Sequence, residues 1–125
     1  MLGTNDLKPR FSAGPFDIAA GAGALLFAIN TLVPPWTKAP RLLLISPPHA
    51  ISTGWLADMF AGADARAKQL APLYRTQAER HGAAFFDAAA VAKVSPIDGV
   101  HFDAADHQAL GRAVAAEVTK LASAG

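Results

Sequence analysis

The stretch Arg41–Pro48, RLLLISPP, decides the fold of this 125-residue chain. Its unbroken apolar run has the length of one strand and is stopped by two prolines, a pattern that favours a strand buried on both faces of a parallel sheet. Downstream, AAFFDAAAV at 83–91 predicts a second strand that ends near Asp87. These two runs predict a parallel sheet at the centre of the molecule.

Helical patterns surround both strands. Pro15 suits the first position of a helix that runs to about Leu32, and Asp64 is a candidate N-cap for a helix that ends at His81 and Gly82. From Asp103 onward, one face of a last amphipathic helix carries apolar residues, namely Leu110, Val114, Val118 and Leu121. The segment 49–63 has no clean period and predicts a long, partly structured loop. The alternation predicts one α/β domain over residues 1–125.

The predicted sheet is short of strands. Two parallel strands leave two open edges, whereas a stand-alone α/β domain normally has more strands. We therefore expect that N-terminal strands are missing from this chain. We also expect it to associate through an exposed sheet edge, as a homo-oligomer or with another chain.

Composition argues against several classes of protein. A net charge of +1, with eleven basic residues that do not cluster, argues against a nucleic-acid partner. The most apolar run, Ile18 to Val33, is too short and too interrupted to predict a membrane span. No signal peptide is visible, so we expect a cytoplasmic protein, and the absence of cysteine excludes disulfides and thiolate metal sites.

Two polar stretches carry the candidate chemistry. In DGVHFD, His101 is a candidate general base, Asp98 is placed to hold its ring, and Gly99 permits a tight turn between them. In LGTND, the Asn5 amide is a candidate oxyanion donor. The simpler alternatives are that Asp98 and Gly99 form an ordinary turn, that His101 caps the final helix, and that Asn5 begins a turn. A metal site of His101, Asp103 and His107 is a further alternative, although this spacing matches no standard ligand pattern.

Together, GTND, SPP and DGVHF resemble the sequence blocks of the SGNH hydrolases, also called GDSL esterases, and are most similar to the arylesterase and acyltransferase branch. The resemblance implies a flavodoxin-like three-layer α/β/α sandwich that hydrolyses or transfers acyl groups without metal or organic cofactor. It also implies roles for three residues: Asn5 as an oxyanion-hole donor, Asp98 as the orienting carboxylate and His101 as the general base. The implied substrate is a small acyl or aryl ester.

The departure from this pattern concerns the nucleophile. The family's Gly-Asp-Ser block has no counterpart in the sequence, so we expect Met1 to be an internal residue of a longer protein. No other serine is a persuasive substitute; Ser46, for example, precedes Pro47, which has no N–H for an oxyanion hole. The alternative is a catalytically inactive remnant or interaction module. Aromatic and aliphatic residues near the predicted mouth are candidates for an apolar acyl or aryl site, namely Phe11, Ile51, Trp55 and Phe60, whereas Trp36 is expected to cover the core or an interface.

Overall fold

The computed structural model describes residues 1–123. It contains two strands, β1 (Leu43–Ser46) and β2 (Ala84–Asp87), and four α-helices: α1 (Pro15–Thr31), α2 (Ala63–Ala67), α3 (Leu70–Arg80) and α4 (Ala104–Ser123). Short 3-10 turns occupy Asn5–Leu7, Pro9–Phe11, Gly54–Leu56, Asp58–Phe60 and Ala88–Ala90. None of the helices described in residues 1–123 has the length and apolar character that crossing a membrane requires.

The two strands pair in parallel, with Leu43 opposite Ala84 and Ser46 opposite Asp87. Helix α3 packs on both strands and on α1, while α4 contacts β2. The core lies under α3 and is built from side chains with little or no exposure, among them Leu7, Leu44, Phe60, Leu70 and Tyr74. The predicted α/β class and parallel sheet are therefore confirmed.

Helix α1 forms where the sequence predicts it. Pro15 occupies the first turn, and Asp17 Oδ2 accepts a hydrogen bond from the Gly14 N–H at 3.3 Å. Its buried residues recur every three or four positions: Ile18, Ala19, Ala22, Gly23 and Leu26. A Cβ on Gly23 would lie 2.2 Å from Gln77 Oε1, so this glycine permits the close approach of α1 to α3.

The helix predicted from Asp64 to Gly82 is wrong in two respects. It begins after Gly62, which has φ +71°, and Asp64 lies in its first turn instead of capping it. It is also two helices, because Pro72 has no N–H to bond the carbonyl of Lys68 and its ring crowds that carbonyl. The chain consequently breaks after α2 and restarts at Leu70.

Two expectations for aromatic residues also fail. Trp36 is 82% exposed, so its predicted role in covering the core is wrong, while a role at an interface stays a prediction. Phe60 is 1% exposed and belongs to the core, so it does not line a mouth. Both lie in segments without a clean hydrophobic period, where sequence gives little information on which side chain turns inward.

Candidate active site

The candidate base lies on a closed loop between β2 and α4. The N–H of Ser95 donates to the His101 carbonyl at 2.6 Å, and the Ser95 carbonyl accepts from the Gly99 N–H at 2.8 Å. Ser95 Oγ also accepts from the Ile97 N–H at 3.3 Å. Gly99 has φ +74°, a conformation that L side chains rarely adopt, which explains the glycine in the middle of the turn.

Asp98 and His101 form a direct pair within this loop. Their side chains meet at 2.7 Å between Asp98 Oδ2 and His101 Nδ1. The other carboxylate oxygen, Oδ1, accepts the backbone N–H groups of Val100 and His101, each at 2.9 Å. Because both oxygens have fixed partners, the carboxylate can present only Oδ2 to the imidazole.

The same contacts determine the charge of the pair. The backbone hydrogen bond from His101 is the main cause that lowers the pKa of Asp98 to about 2, and the His101 side chain and the Val100 N–H add to it. An ionised Asp98 favours the imidazole tautomer whose proton sits on Nδ1, which leaves a lone pair on Nε2. The His101 side chain is 69% exposed while that of Asp98 is 10% exposed, so a buried anion holds an accessible base.

The two simpler interpretations of DGVH turn out differently. Asp98 and Gly99 do form a turn, because Asp98 Oδ1 bonds the N–H groups two and three residues ahead of it. His101 does not cap α4, since the Asp103 carbonyl accepts the His107 N–H at 3.0 Å where that helix begins. The turn and the acid–base pair are thus one structure.

Asn5 lies on a second turn, and the buried Tyr74 contacts the residues that precede it. Tyr74 Oη donates to the Leu2 carbonyl at 2.9 Å. A Cβ on Gly3, which has φ +112°, would lie 2.2 Å from Tyr74 Oη. Asn5 itself is exposed on the 3-10 turn that follows. Among residues 1–123, no hydrogen bond joins Asn5 to Asp98 or His101, so only the latter two are brought into contact.

Several solved structures are similar to this chain, among them structures of carbohydrate acetylesterases and of an aryl esterase. A carbohydrate acetylesterase family member from Sinorhizobium meliloti is 38% identical with a TM-score of 0.88, over 94% of this chain and 57% of that protein. The native aryl esterase of M. smegmatis is 36% identical with a TM-score of 0.89, over 97% and 59%. Another structure of a carbohydrate acetylesterase from Sinorhizobium meliloti, Est24, is 35% identical with a TM-score of 0.88, also over 97% and 59%.

The chain resembles a part of carbohydrate acetylesterase and aryl esterase structures of SGNH type. The resemblance carried by GTND and DGVHF is thereby confirmed, and the chain has an esterase-type hydrolase fold. It spans less than three fifths of the length of each of these structures. No family model matches the sequence, and no curated protein matches it.

Within residues 1–123, no serine is placed as a partner of the base. Ser46 is 1% exposed and its Oγ lies 3.5 Å from the Pro47 carbonyl. Ser52 Oγ donates to the Ala57 carbonyl at 2.8 Å. Ser95 is engaged within its own loop, Ser12 Oγ donates to the Pro9 carbonyl, and Ser123 Oγ donates to the Thr119 carbonyl within α4. Within residues 1–123, no serine hydroxyl is hydrogen bonded to His101.

Two open cavities lie in the structure, one beside the Asn5 turn and one beside the loop that follows β1. One, of about 360 Å³, lies between the Asn5 turn and α1 and is lined in part by Leu2, Gly3, Ile18 and Tyr74. The other, of about 240 Å³, is lined in part by His49, Ile51 and Lys93. His101 lines neither of the two. The alternative metal site is not assembled either, because the described part of the chain contains no group of three or more His, Asp or Glu side chains that could hold an ion.

Sequence reasoning missed Ser95 as a structural part of this site. Its three hydrogen bonds all run to backbone atoms of Ile97, Gly99 and His101. The only signal was the Ser-Pro pair at 95–96, which is typical of a turn but does not say which residues the turn closes on.

Proposed function

We propose that this chain supplies the acid–base half of a serine ester hydrolase or acyltransferase that acts on small acyl or aryl esters. The observation that carries the proposal is the 2.7 Å contact between Asp98 Oδ2 and His101 Nδ1, made by a carboxylate whose second oxygen is held by two backbone N–H groups. In this proposal Asp98 orients the ring, His101 is the general base, and Asn5 donates to the oxyanion.

The chemistry requires a hydroxyl nucleophile from outside these 125 residues. That hydroxyl oxygen attacks the ester carbonyl carbon while His101 Nε2 accepts its proton, and the tetrahedral oxyanion is stabilised by hydrogen-bond donors such as Asn5. Collapse expels the alkoxide, which takes the proton from Nε2. Water or a second alcohol then releases the acyl group by the same steps in reverse. Asp98 stays ionised throughout, consistent with a pKa of about 2.

The surface of the chain supports a partner that completes the site. Among the residues described, β1 forms its sheet bonds with β2 alone, so its outer edge is open. Large apolar side chains are exposed on the N-terminal segment, on α1 and at its C-cap, namely Leu2, Phe16, Leu25 and Leu32. Open strand edges and apolar surface both favour association, with a complementing polypeptide or with a second copy of the chain.

The names of the similar proteins support the proposed substrate class. Two of them carry the name carbohydrate acetylesterase and one the name aryl esterase. Small acetyl and aryl esters are therefore the substrates to test first on this chain. Trp55 is 73% exposed and close in sequence to Ile51, so the pair is available to contact an apolar acyl or aryl group.

The proposal is tested by supplying the nucleophile. The chain is joined to, or mixed with, an upstream segment that carries Gly-Asp-Ser, and hydrolysis of p-nitrophenyl acetate is measured. We expect turnover that His101→Ala nearly abolishes and that His81→Ala, at the C-cap of α3, leaves unchanged. Stoichiometric labelling of Ser46 or Ser52 by a fluorophosphonate in the chain alone would refute the need for an outside nucleophile.

A further inference from the structure

The loop that follows β1 interlocks with the loop that carries Asp98. The N–H of Ile51 donates to the Gly99 carbonyl at 2.9 Å. Gly54 has φ +61°, and a Cβ at this position would lie 1.8 Å from the Ile97 carbonyl oxygen. A Cβ on Gly99 would in turn lie 2.1 Å from the Ile51 carbonyl oxygen. The backbone therefore approaches so closely that only glycine fits at either position.

The first of these loops is itself anchored to a helix. Asp64 Oδ2, in the first turn of α2, accepts the N–H of Ser52 at 3.0 Å. Within the loop, the Thr53 N–H donates to the Ile51 carbonyl at 3.1 Å and Ser52 Oγ donates to the Ala57 carbonyl at 2.8 Å. The segment Ile51–Gly54 is thus fixed by contacts that involve no residue of the acid–base pair.

We propose that Ile51–Gly54, anchored by Asp64, is the positioning segment of the acid–base pair, with Gly54 and Asp64 as positioning residues. This inference rests on the proposed function, and the close contacts between the two loops support it. The His101 side chain is 69% exposed, so little packing holds it, and its place depends on the backbone of the turn. The positioning segment contacts that turn at Ile97 and Gly99, the two neighbours of Asp98.

The proposal predicts that a methyl group at Gly54 disturbs Asp98 through the backbone of the turn, since a Cβ there would lie 3.1 Å from the Asp98 Cα. In Gly54→Ala the new Cβ must displace the Ile97 carbonyl, which moves the turn and loosens the hydrogen bonds to Asp98. The matched control is Gly82→Ala, because Gly82, which follows α3, also has a positive φ, +66°, but a Cβ there meets nothing within 4 Å. Backbone strain is common to both variants, so their difference isolates the contact.

The measurement is the pKa of Asp98 in the isolated chain, from the side-chain carboxyl ¹³C shift by NMR. We expect Gly54→Ala to raise it from about 2 toward the ordinary aspartate value of about 3.9, and Gly82→Ala to leave it at about 2. A folded Gly54→Ala variant with the pKa of Asp98 unchanged would overturn the proposal. This readout needs no nucleophile, so its failure is distinguishable from a failure of the turnover assay.

A second variant decides the matter if Gly54→Ala does not fold. Asp64→Ala removes the acceptor of the Ser52 N–H from an exposed position, and Asp58→Ala is the matched surface control. We expect Asp64→Ala to speed amide hydrogen exchange at Val100 and His101 several-fold, while exchange in α3 stays as it was. Equal exchange at Val100 and His101 in the two variants would overturn the anchoring role of Asp64.

Discussion

The alkaline stability of the chain should be controlled by Tyr74, which is the only tyrosine in the sequence. Its side chain is 1% exposed and its hydroxyl donates to the Leu2 carbonyl, directly before the turn that carries Asn5. Burial, with a smaller contribution from the negative charge of Asp6, raises the pKa of Tyr74 to about 12. An unfolded tyrosine ionises near pH 10.

The sign of the effect follows from this difference. The unfolded chain loses the phenol proton first as the pH rises, so the free energy of unfolding is unaffected below about pH 10 and falls progressively between about pH 10 and 12. Two pKa units correspond to at most about 2.7 kcal/mol. Because the acceptor residue Leu2 is itself exposed, solvent screens part of this, and we expect a loss of about 1–2 kcal/mol.

Tyr74→Phe provides the matched comparison. At neutral pH the variant should be less stable by about 1 kcal/mol, because it lacks the hydrogen bond to the Leu2 carbonyl. It has no phenol to ionise, so it should not share the alkaline loss, and the two stability curves should meet between about pH 11 and 12.

The assay is urea unfolding across this pH range, with tyrosinate absorbance at 295 nm recorded on the folded protein. Since Tyr74 is the sole tyrosine, the absorbance midpoint reports its pKa directly. A midpoint near pH 10 in protein that circular dichroism shows to be folded would refute the reasoning. So would stability curves for the two proteins that stay parallel up to pH 12.

The remaining predictions concern the site and the surface. The stability contributed by ionised Asp98 should be fully present above about pH 3.9 and lost as the pH falls through about 2. The difference in the free energy of unfolding between the chain and Asp98→Asn, measured with urea, should therefore shrink over that range. A difference that is constant from pH 5 to 2 would contradict this. The isolated chain should hydrolyse p-nitrophenyl acetate no faster than free imidazole, as a spectrophotometric assay can show. Once turnover is restored by a Gly-Asp-Ser segment, Asn5→Ala should lower kcat by roughly 10²–10³-fold, and an unchanged kcat would remove Asn5 from the oxyanion site. The open edge of β1 should make the isolated chain self-associate in sedimentation experiments, whereas a cooperatively unfolding monomer at high concentration would speak against an interactive edge.

The parts of the fold that the sequence predicts are those with a local cause. The apolar run before Pro47 and Pro48 predicts β1, and Pro15 predicts the start of α1, because each depends on neighbours in the sequence. The helix around residue 70 could not be placed correctly in the same way. Apolar spacing continues through it, and the break depends on where Pro72 falls relative to the Lys68 carbonyl.

In the candidate site too, contacts between residues near in sequence were predictable and contacts between distant segments were not. Asp98 and His101 are three residues apart, so a turn at Gly99 is enough to bring them together, and spacing alone predicts their contact. The fit of Gly54 against the Ile97 carbonyl joins segments that are distant in sequence. Residue type gives no hint of the partner across such a contact, because any carbonyl is compatible with a glycine.

Local contacts explain why Asp98 and His101 form a pair although, within residues 1–123, no serine hydroxyl is hydrogen bonded to His101. Among residues 1–123, every hydrogen bond to Asp98 or His101 comes from the loop Ser95–His101, which the positioning segment contacts at Gly99, and that segment is anchored on α2. None of them involves the outer edge of β1 or the exposed face of α1, where a completing partner would bind. The pair should therefore be formed before any partner arrives, and the pKa of Asp98 should be the same, about 2, in the isolated chain and in a complemented enzyme. An Asp98 pKa that reaches about 2 only after complementation would show instead that the partner builds the site.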